Sequence, residues 1–226
     1  MTLYTAVSSA ALRVIGSAPA AVFASTEQIA VELRDLAQDV AVDIATSHEW
    51  RDLVKIATFA GGASFPKPAD YDRMLSGQGV QDGTSWLWGY SPFASVADYM
   101  AAINGQWAIS PGGWIILGGE FKFWPATVGS ATFPYMSNLI VNGADATPKA
   151  AFSADTDTFA LPERLLTLGL IWRYRAQKGL DYSEDLATYE DALARAQNND
   201  KGARVLRPDS APSFPGAKRA YINRAI

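Results

Sequence analysis

The stretch STEQIAVELRDLAQDVAVDIATS, residues 25–47, contains the clearest helical pattern in the sequence. Its large apolar residues recur every three or four positions, as Ile29, Leu33, Leu36, Val40 and Ile44. That spacing places their side chains on one face, so the stretch predicts an amphipathic helix over 26–47 whose apolar face enters a core. The opening four residues have the form of a capping box, in which Ser25 caps the helix and Gln28 reaches back to it.

A shorter amphipathic helix is predicted on the N-terminal side, over residues 5–15, where Gly16 and Pro19 end it. The Ala-rich character of this region raises the alternative of a secretory signal. Such a signal has basic residues before its apolar run, whereas the only early base, Arg13, lies inside the run. We therefore expect a helix of the folded protein here.

On the C-terminal side the pattern changes to that of β-strands joined by tight turns. Short apolar runs separated by glycine and proline cover residues 53–59, 86–90, 114–117, 121–124 and 135–141. Gly118 and Gly119 predict a hairpin with a two-residue loop between strands 114–117 and 120–124. A short helix over 95–103 interrupts the strands and is expected to carry on one side Val96, Tyr99, Met100 and Ile103.

Two further helices are predicted near the end of the chain. Pro162 fits the first turn of a helix over 162–178, which Gly179 closes. Asp181 or Ser183 caps the second helix, over 183–197. Their apolar residues again follow helical spacing, and those expected in the core are Leu165, Leu166 and Trp172, followed by Leu186, Tyr189 and Leu193.

Together these patterns predict an α+β fold in which N- and C-terminal helices form one bundle. Residues 1–52 and 159–199 supply the bundle helices, and a β-rich lobe with a short helix, residues 53–158, is inserted between them. Residues 200–226 form an extended C-terminal arm. The predicted bundle core consists of Ile29, Leu33, Leu36, Val40, Ile44, Leu165, Leu166, Trp172, Leu186, Tyr189 and Leu193.

The C-terminal arm differs from the rest of the chain in charge. Residues 200–226 hold six bases and two acids, whereas the preceding residues hold 13 bases and 21 acids. Its three prolines and its lack of apolar periodicity indicate a segment that becomes ordered only against a partner. The arm residues expected to bind that partner are Lys201, Arg204, Arg207, Phe214, Lys218, Arg219, Tyr221, Ile222, Arg224 and Ile226.

The composition is that of a folded globular protein and excludes several kinds of chemistry. Of the 226 residues, 49% are hydrophobic and 19% are charged, whereas a disordered chain is poorer in apolar residues. The chain has no cysteine and one histidine, which excludes disulfides, thiolate metal sites and cysteine nucleophiles and disfavours histidine-rich metal sites. A net charge of −4 argues against general nucleic-acid binding, and no stretch reaches the ~18 uncharged apolar residues of a membrane helix.

Two polar motifs are candidates for catalysis or metal binding, and each has a simpler interpretation. The Asp-Thr-Asp run at 155–157 begins like a calcium loop, but Phe159 and Ala160 occupy the positions of the next ligand and the glycine. We expect these acids to bind loop amides and to favour the positive end of the following helix. His48 lacks the second histidine of a zinc protease, and its place after a long helix indicates a structural role. We therefore predict no catalytic residue, no metal site, no cofactor and no enzymatic activity.

Three segments resemble those of a known family. Residues 152–182, which read FSADTDTFALPERLLTLGLIWRYRAQKGLDY, are similar to a segment common in structural proteins of tailed phages. The same holds for residues 65–74, FPKPADYDRM, and for residues 133–138, FPYMSN. In their order along the chain these segments resemble the head-to-tail adaptor (connector) proteins of tailed bacteriophages, including the tail tubular protein A type.

The resemblance implies a structural protein of the virion neck or tail, assembled in the host cytoplasm. It implies a ring of identical subunits, twelve in number, under the portal protein, with the C-terminal arm docked on the portal. The ring would link capsid to tail and line the channel through which genomic DNA passes without sequence-specific binding. Its other expected partners are further copies of itself and a tail, nozzle or stopper protein below, with no membrane involved.

Two alternatives are left open by the sequence. Trp86 and Trp88 alternate on a predicted strand, and three more tryptophans, Trp107, Trp114 and Trp124, belong to the same lobe. Exposed indoles there would stack on sugar rings, which favours a virion-associated glycan- or receptor-binding protein. The plainer interpretation places these aromatics in the lobe core or between protomers. A small hydrolase built on the acids at 155–157 is the other alternative.

Overall fold

Helices precede and follow a β-rich region in the part of the chain that the structure describes, residues 2–77, 79–82, 89–105 and 112–200. In this computed structural model the helices are α1 (Leu3–Val14), α2 (Gln28–Ser47), α3 (Val96–Asn104), α4 (Glu163–Gln177) and α5 (Ser183–Asp200). The described strands are β1 (Val54–Phe59), β2 (Gly62–Pro66), β3 (Tyr71–Met74), β4 (Gln81–Asp82), β5 (Ser91–Pro92), β6 (Gly113–Leu117), β7 (Glu120–Thr127), β8 (Ala131–Ser137), β9 (Val141–Asn142), β10 (Pro148–Lys149) and β11 (Thr158–Phe159). The predicted α+β class is therefore confirmed.

The described chain divides into two compact units. The helical unit comprises residues 2–57, 68–77 and 134–200. The β-unit comprises the described residues between 58 and 67 and between 79 and 133. Residues 134–158, which the sequence pattern assigns to a β-rich lobe, thus belong with the helices, and Met136, Ile140 and Val141 join the helical core.

Three sheets are formed by the described strands. In the β-unit the order is β2-β7-β6-β5, antiparallel except for the parallel pair of β5 and β6. In the helical unit β9 pairs with both β10 and β11. In the third sheet the long strand β8 pairs with β1, β3 and β4, so most of its backbone groups are satisfied by neighbouring strands.

The predicted hairpin is confirmed as β6 and β7. Leu117 lies opposite Glu120, and the two loop residues Gly118 and Gly119 have φ angles of +60° and +84°. Two consecutive residues with positive φ give the turn whose twist matches that of the strands, and glycine adopts this conformation at no steric cost.

Aromatic side chains fill the interior of the β-unit. Phe121 and Phe133 are buried with ring centroids 4.5 Å apart, and Phe59 stacks on Phe65 at 3.8 Å. Trp114 is also buried, with its ring 5.6 Å from that of Phe121. The plainer interpretation of the tryptophan-rich lobe therefore holds for Trp114, whose indole packs in the core of the unit.

The short helix α3 does not bury the one apolar side that its sequence suggests. Tyr99 and Ala102 are buried, and the ring of Tyr99 meets Phe93 edge-on at 5.5 Å. Val96 and Met100 are exposed instead. The buried face of α3 therefore differs from the apolar face that its sequence predicts.

The helical unit is organised around α4, because α1, α2 and α5 each pack along it. Its large buried side chains include Leu3, Val7, Leu33, Val40, Ile44, Leu165, Leu166 and Leu170. Gly169 allows α2 and α4 to approach closely, since a Cβ atom added at Gly169 would lie 2.4 Å from Val40 Cγ1. By contrast, α1 and α2 share little contact with each other.

The beginning of α2 shows that the predicted capping box is wrong. The helix starts at Gln28, and Ser25 Oγ accepts a hydrogen bond from Glu27 N at 3.1 Å, before the first turn. The side chain of Gln28 points forward and donates to Glu32 Oε1 at 2.8 Å. The four residues therefore match the sequence of a capping box but do not form its hydrogen bonds.

Candidate functional site

Parts of two segments that carry the family resemblance pair directly as β3 and β8. The strands run antiparallel, with Tyr71 opposite Ser137 and Met74 opposite Tyr135. The rings of Tyr71 and Tyr135 stack with centroids 5.7 Å apart. A shift of register between Tyr71 and Arg73 marks a β-bulge in β3. Two stretches that are distant in sequence therefore form one local structure.

Asp70, just before β3, binds groups from β1 and from the end of β8. Its Oδ2 accepts hydrogen bonds from Lys55 Nζ at 2.6 Å and Ser137 Oγ at 2.8 Å, and its Oδ1 accepts from Tyr135 Oη at 2.8 Å. Its backbone carbonyl accepts from Asn138 N at 2.9 Å. A single carboxylate thus ties β1, the approach to β3 and the end of β8 together.

The surroundings of Asp70 strongly favour its charged form. Burial raises the pKa of the carboxyl, but the hydrogen bonds from Lys55, Ser137 and Tyr135 outweigh burial and bring the pKa to about 2. Burial and the Asp70 charge together raise the pKa of Tyr135 to about 12. The cluster is therefore a fixed ionic arrangement at neutral pH, which suits a structural joint and not proton transfer.

We expect Asp70 to make the stability of the protein depend on acid pH. An unfolded aspartate has a pKa of about 3.9, so the unfolded chain binds the proton first as pH falls, and stability is lost from about pH 4 towards pH 2. Asp70→Asn should cost about 1–2 kcal/mol at pH 7, because solvent screens the half-exposed Lys55, and almost nothing at pH 2. Urea denaturation of both proteins across this range measures the difference, and parallel pH profiles would contradict the assignment.

The acids at 155–157 bind backbone amides, as the sequence predicts. Asp155 accepts from Val22 N at 3.0 Å and from Phe23 N at 2.8 Å. The backbone carbonyls of the same segment accept from the first turn of α1, with Leu3 N bonded to Asp157 O at 2.7 Å. The segment therefore holds the start of α1 and the approach to α2 in place.

Asp157 is fully buried and forms hydrogen bonds with both carboxylate oxygens. Oδ2 accepts from Ser153 N at 2.7 Å and Ala154 N at 3.0 Å, while Oδ1 accepts from Lys149 Nζ at 3.0 Å. Burial raises the pKa of the carboxyl, but the Ser153 amide and the Lys149 ammonium hold it below its ordinary value. These amides belong to the loop and not to α4. The loop hydrogen bonds therefore hold the Asp157 side chain in place, and not the expected attraction to the positive end of the following helix.

A comparison with protein families gives a match over most of the chain. The family model described as SU10 adaptor protein matches residues 1–212. The chain belongs to the SU10 adaptor protein family. The resemblance to phage head-to-tail adaptors is thereby confirmed, and the protein is a structural phage protein of the adaptor type. No curated protein matches the chain.

The motifs considered for catalysis lie in structural positions in the adaptor. Asp155 and Asp157 are occupied by the loop amides described above. His48 follows the last residue of α2, packs edge-on against Trp50 at 5.1 Å, and has Nε2 3.3 Å from Asp200 Oδ2. Within the described ranges no group of three or more acidic or histidine side chains could hold a metal ion.

The structure places every predicted bundle-core residue in or against one cluster. Leu33, Val40, Ile44, Leu165, Leu166 and Tyr189 are buried. The partly buried ones are Ile29, Leu36, Trp172, Leu186 and Leu193. Sequence reasoning missed the small residues that share this core, namely Ala6, Ala10, Ala11, Ala37 and Ala41. Alanines at intervals of four were the available signal, since Ala6 and Ala10, and Ala37 and Ala41, repeat as the large residues do.

Other predicted residues of the adaptor lie outside the described part. The arm residues Lys201, Arg204, Arg207, Phe214, Lys218, Arg219, Tyr221, Ile222, Arg224 and Ile226 do so, as do Trp86, Trp88 and Trp107. Asp200, with which the predicted arm begins, is the last residue of α5. No helix among the described residues has both the length and the apolar character that crossing a bilayer requires.

Proposed function

We propose that the adaptor forms a ring of twelve copies under the portal, links the capsid to the tail and lines the DNA channel. The observation that carries the proposal is the family match over residues 1–212, which covers both compact units. A helical unit built around one central helix suits side-by-side packing of identical copies. Further copies, the portal above, a tail, nozzle or stopper protein below and the passing DNA are the partners. Assembly takes place in the host cytoplasm, and the assembled protein lies in the neck of the virion.

The charge of the folded body supports a role in letting DNA pass. The described residues carry 22 acids and 13 bases, whereas residues 201–226 carry one acid and six bases. A basic channel wall would bind phosphates and slow the DNA, because each neutralised phosphate releases counterions and adds affinity. An acidic body avoids this binding.

The basic arm is the part that we assign to the portal. Binding by a segment that must become ordered costs conformational entropy, so one arm alone binds only modestly. Twelve arms on one ring act at high effective concentration, and their avidity makes the joint firm. The apolar residues Phe214, Tyr221, Ile222 and Ile226 supply contacts that charge alone does not.

Portal binding by truncated protein tests this function. We expect a chain that stops after Asp200 to lose at least about a hundredfold in affinity for the portal ring of the same genome, because avidity through the arms is lost. The stop must follow Asp200, since Asp200 Oδ2 accepts from Arg51 N at 3.2 Å and belongs to the folded unit. Co-sedimentation with purified portal rings measures the binding.

A matched control separates charge from sequence. In this control residues 201–226 are scrambled, which preserves their net charge and length. We expect it to bind nearly as poorly as the truncated chain, because ordered contacts with the portal require the apolar residues in their own places. Equal binding by the full-length and truncated proteins would contradict the role of the arm.

A further inference from the structure

The outward face of α2 carries acids and large apolar side chains in one stripe. Val31, Asp35, Asp39 and Val42 follow at intervals of four, four and three residues, and all four are exposed. The stripe is about 16 Å long at 1.5 Å per residue. No described lysine or arginine forms an ion pair with Asp35 or Asp39. These two like charges lie one helical turn apart, which is unfavourable in the isolated protein.

The neighbouring acids of α2 are already paired inside the unit. Glu32 binds Lys178, the residue that follows α4, at 2.8 Å, and Asp43 binds Arg173 on α4. These two ion pairs connect α2 with α4 and with the residue that follows α4. Asp35 and Asp39 are also exposed on α2, and neither forms an ion pair with a described lysine or arginine.

The end of α1 presents the complementary combination. Arg13 is exposed and has no acidic partner among the described residues. Leu12, directly before it, and Ile15, two residues after it, are 54% and 45% exposed. Leu12 and Ile15 lie three residues apart and share one side of the chain, and Arg13 adds an exposed cation at the same end of α1.

The two faces belong to different helices of the helical unit. Both helices pack along α4 but share little contact with each other. A contact between different faces of identical chains is heterologous, and it generates a closed ring when the rotation between copies closes. Two different and complementary surfaces on one chain are what such a contact requires.

We propose that α1 of one copy packs on α2 of the next copy around the ring. Arg13 pairs with Asp35 and Asp39 of the neighbour, and Leu12 and Ile15 cover the apolar ends of its stripe. A cavity of about 160 Å³, lined by Leu53, Met136 and Ile140 among others, opens beside Val42 and receives Leu12. The inference rests on the ring of the proposed function and adds which surfaces form it.

Cysteine cross-linking tests the contact directly, because the natural chain contains no cysteine. Arg13→Cys and Asp39→Cys are introduced together, the protein is assembled on the portal ring, and a short bismaleimide is added. We expect a ladder of covalent oligomers that extends beyond the dimer in denaturing gels. A mixture of the two single variants should give dimers only, because each chain then carries one half of the contact.

The control keeps the cysteine on α1 and moves the second one. Arg13→Cys combined with Glu190→Cys places that cysteine on α5, where Glu190 is also exposed. We expect no ladder from this pair. A ladder of equal strength from both pairs, or no ladder where negative-stain images show intact rings, overturns the α1–α2 contact while leaving the ring in place. The absence of any ring overturns the proposed function as well.

Charge reversal gives a second, non-covalent readout. Arg13→Glu should reduce ring formation on the portal about tenfold, because a repulsive pair replaces an attractive one at each contact. Adding Asp35→Arg and Asp39→Arg to the same chain should restore it. All three residues are exposed, so an unchanged melting temperature verifies that the variants fold. Failure of the combined variant to recover contradicts direct pairing.

Discussion

Replacing Asp157 by asparagine is expected to lower the free energy of unfolding by about 3 kcal/mol. The carboxylate is fully buried and accepts from Ser153 N, Ala154 N and Lys149 Nζ. Asparagine keeps the shape but has only one accepting oxygen, so its NH₂ group must face either the two loop N–H groups or the Lys149 ammonium, and those donors lose their acceptor. Because Leu3 N binds the carbonyl of Asp157, the loss should also loosen α1. Urea denaturation followed by circular dichroism measures the change.

Asp145→Asn is the matched control for this substitution. Asp145 is exposed and accepts from Thr147 N at 3.2 Å in a local turn, a role that asparagine also fills. We expect its effect to be far smaller than that of Asp157→Asn, because the side chain is exposed and the local turn is kept. If Asp157→Asn costs no more than Asp145→Asn, the buried carboxylate does not hold the segment together as described.

Gly169→Leu is expected to destabilise the helical unit by about 3 kcal/mol or more. Even a single Cβ at this position would lie 2.4 Å from Val40 Cγ1, and Val40 is buried and has few rotamers in a helix. A leucine must therefore push α2 away from α4. Gln177→Leu, on an exposed position of the same helix, is the control and should be nearly neutral. Thermal and urea denaturation distinguish the two.

A double-mutant cycle tests whether Val40 is the obstacle. Gly169→Ala alone should destabilise the protein, because the clash with Val40 exceeds the gain of up to about 1 kcal/mol in helix propensity. In a Val40→Ala background the clash disappears, so the same change should become neutral or stabilising. A change of sign between the two backgrounds is the expected result. Independent, additive effects would show that the contact does not limit the approach of α2 and α4.

The helices and the β6–β7 hairpin are the parts of this fold that the sequence locates. Regular apolar spacing places α2 and α4 within two residues of their ends, because burial on one face imposes the period. The start of α2 was missed for a physical reason. Val22 N and Phe23 N bind Asp155, more than 130 residues away in sequence, and this contact fixes the chain before the helix. Local motifs such as the capping box carry no information about such a partner.

The packing between the helices was less accessible to sequence reasoning. Alanines were overlooked as core residues, although Ala37 and Ala41 are fully buried on the face of α2 that also carries Val40. The importance of Gly169 depends on which residue of another helix lies opposite, which spacing within one helix does not reveal. The Asp70 cluster was missed for the same reason, since its partners Lys55 and Tyr135 come from separate strands.

The adaptor family could be recognised from the sequence only through its resemblance to known proteins, and there is a physical reason. An adaptor acts through surfaces, so no group of reactive side chains at a fixed spacing marks it. The segments that carry the resemblance include those that form the β3–β8 pair and the loop at 155–157. The exposed side chains Arg13, Asp35 and Asp39 belong to no sequence motif. Their exposure and their lack of ion pairs are visible only in the folded helices.

Electron microscopy of the full-length adaptor bound to the portal ring of the same genome tests the central claim most directly. We predict a second ring of twelve copies stacked under the portal, continuous with its channel, at sites where the portal alone shows none. Portal rings that remain bare at saturating adaptor, or that carry scattered single copies without rotational order, would contradict the account.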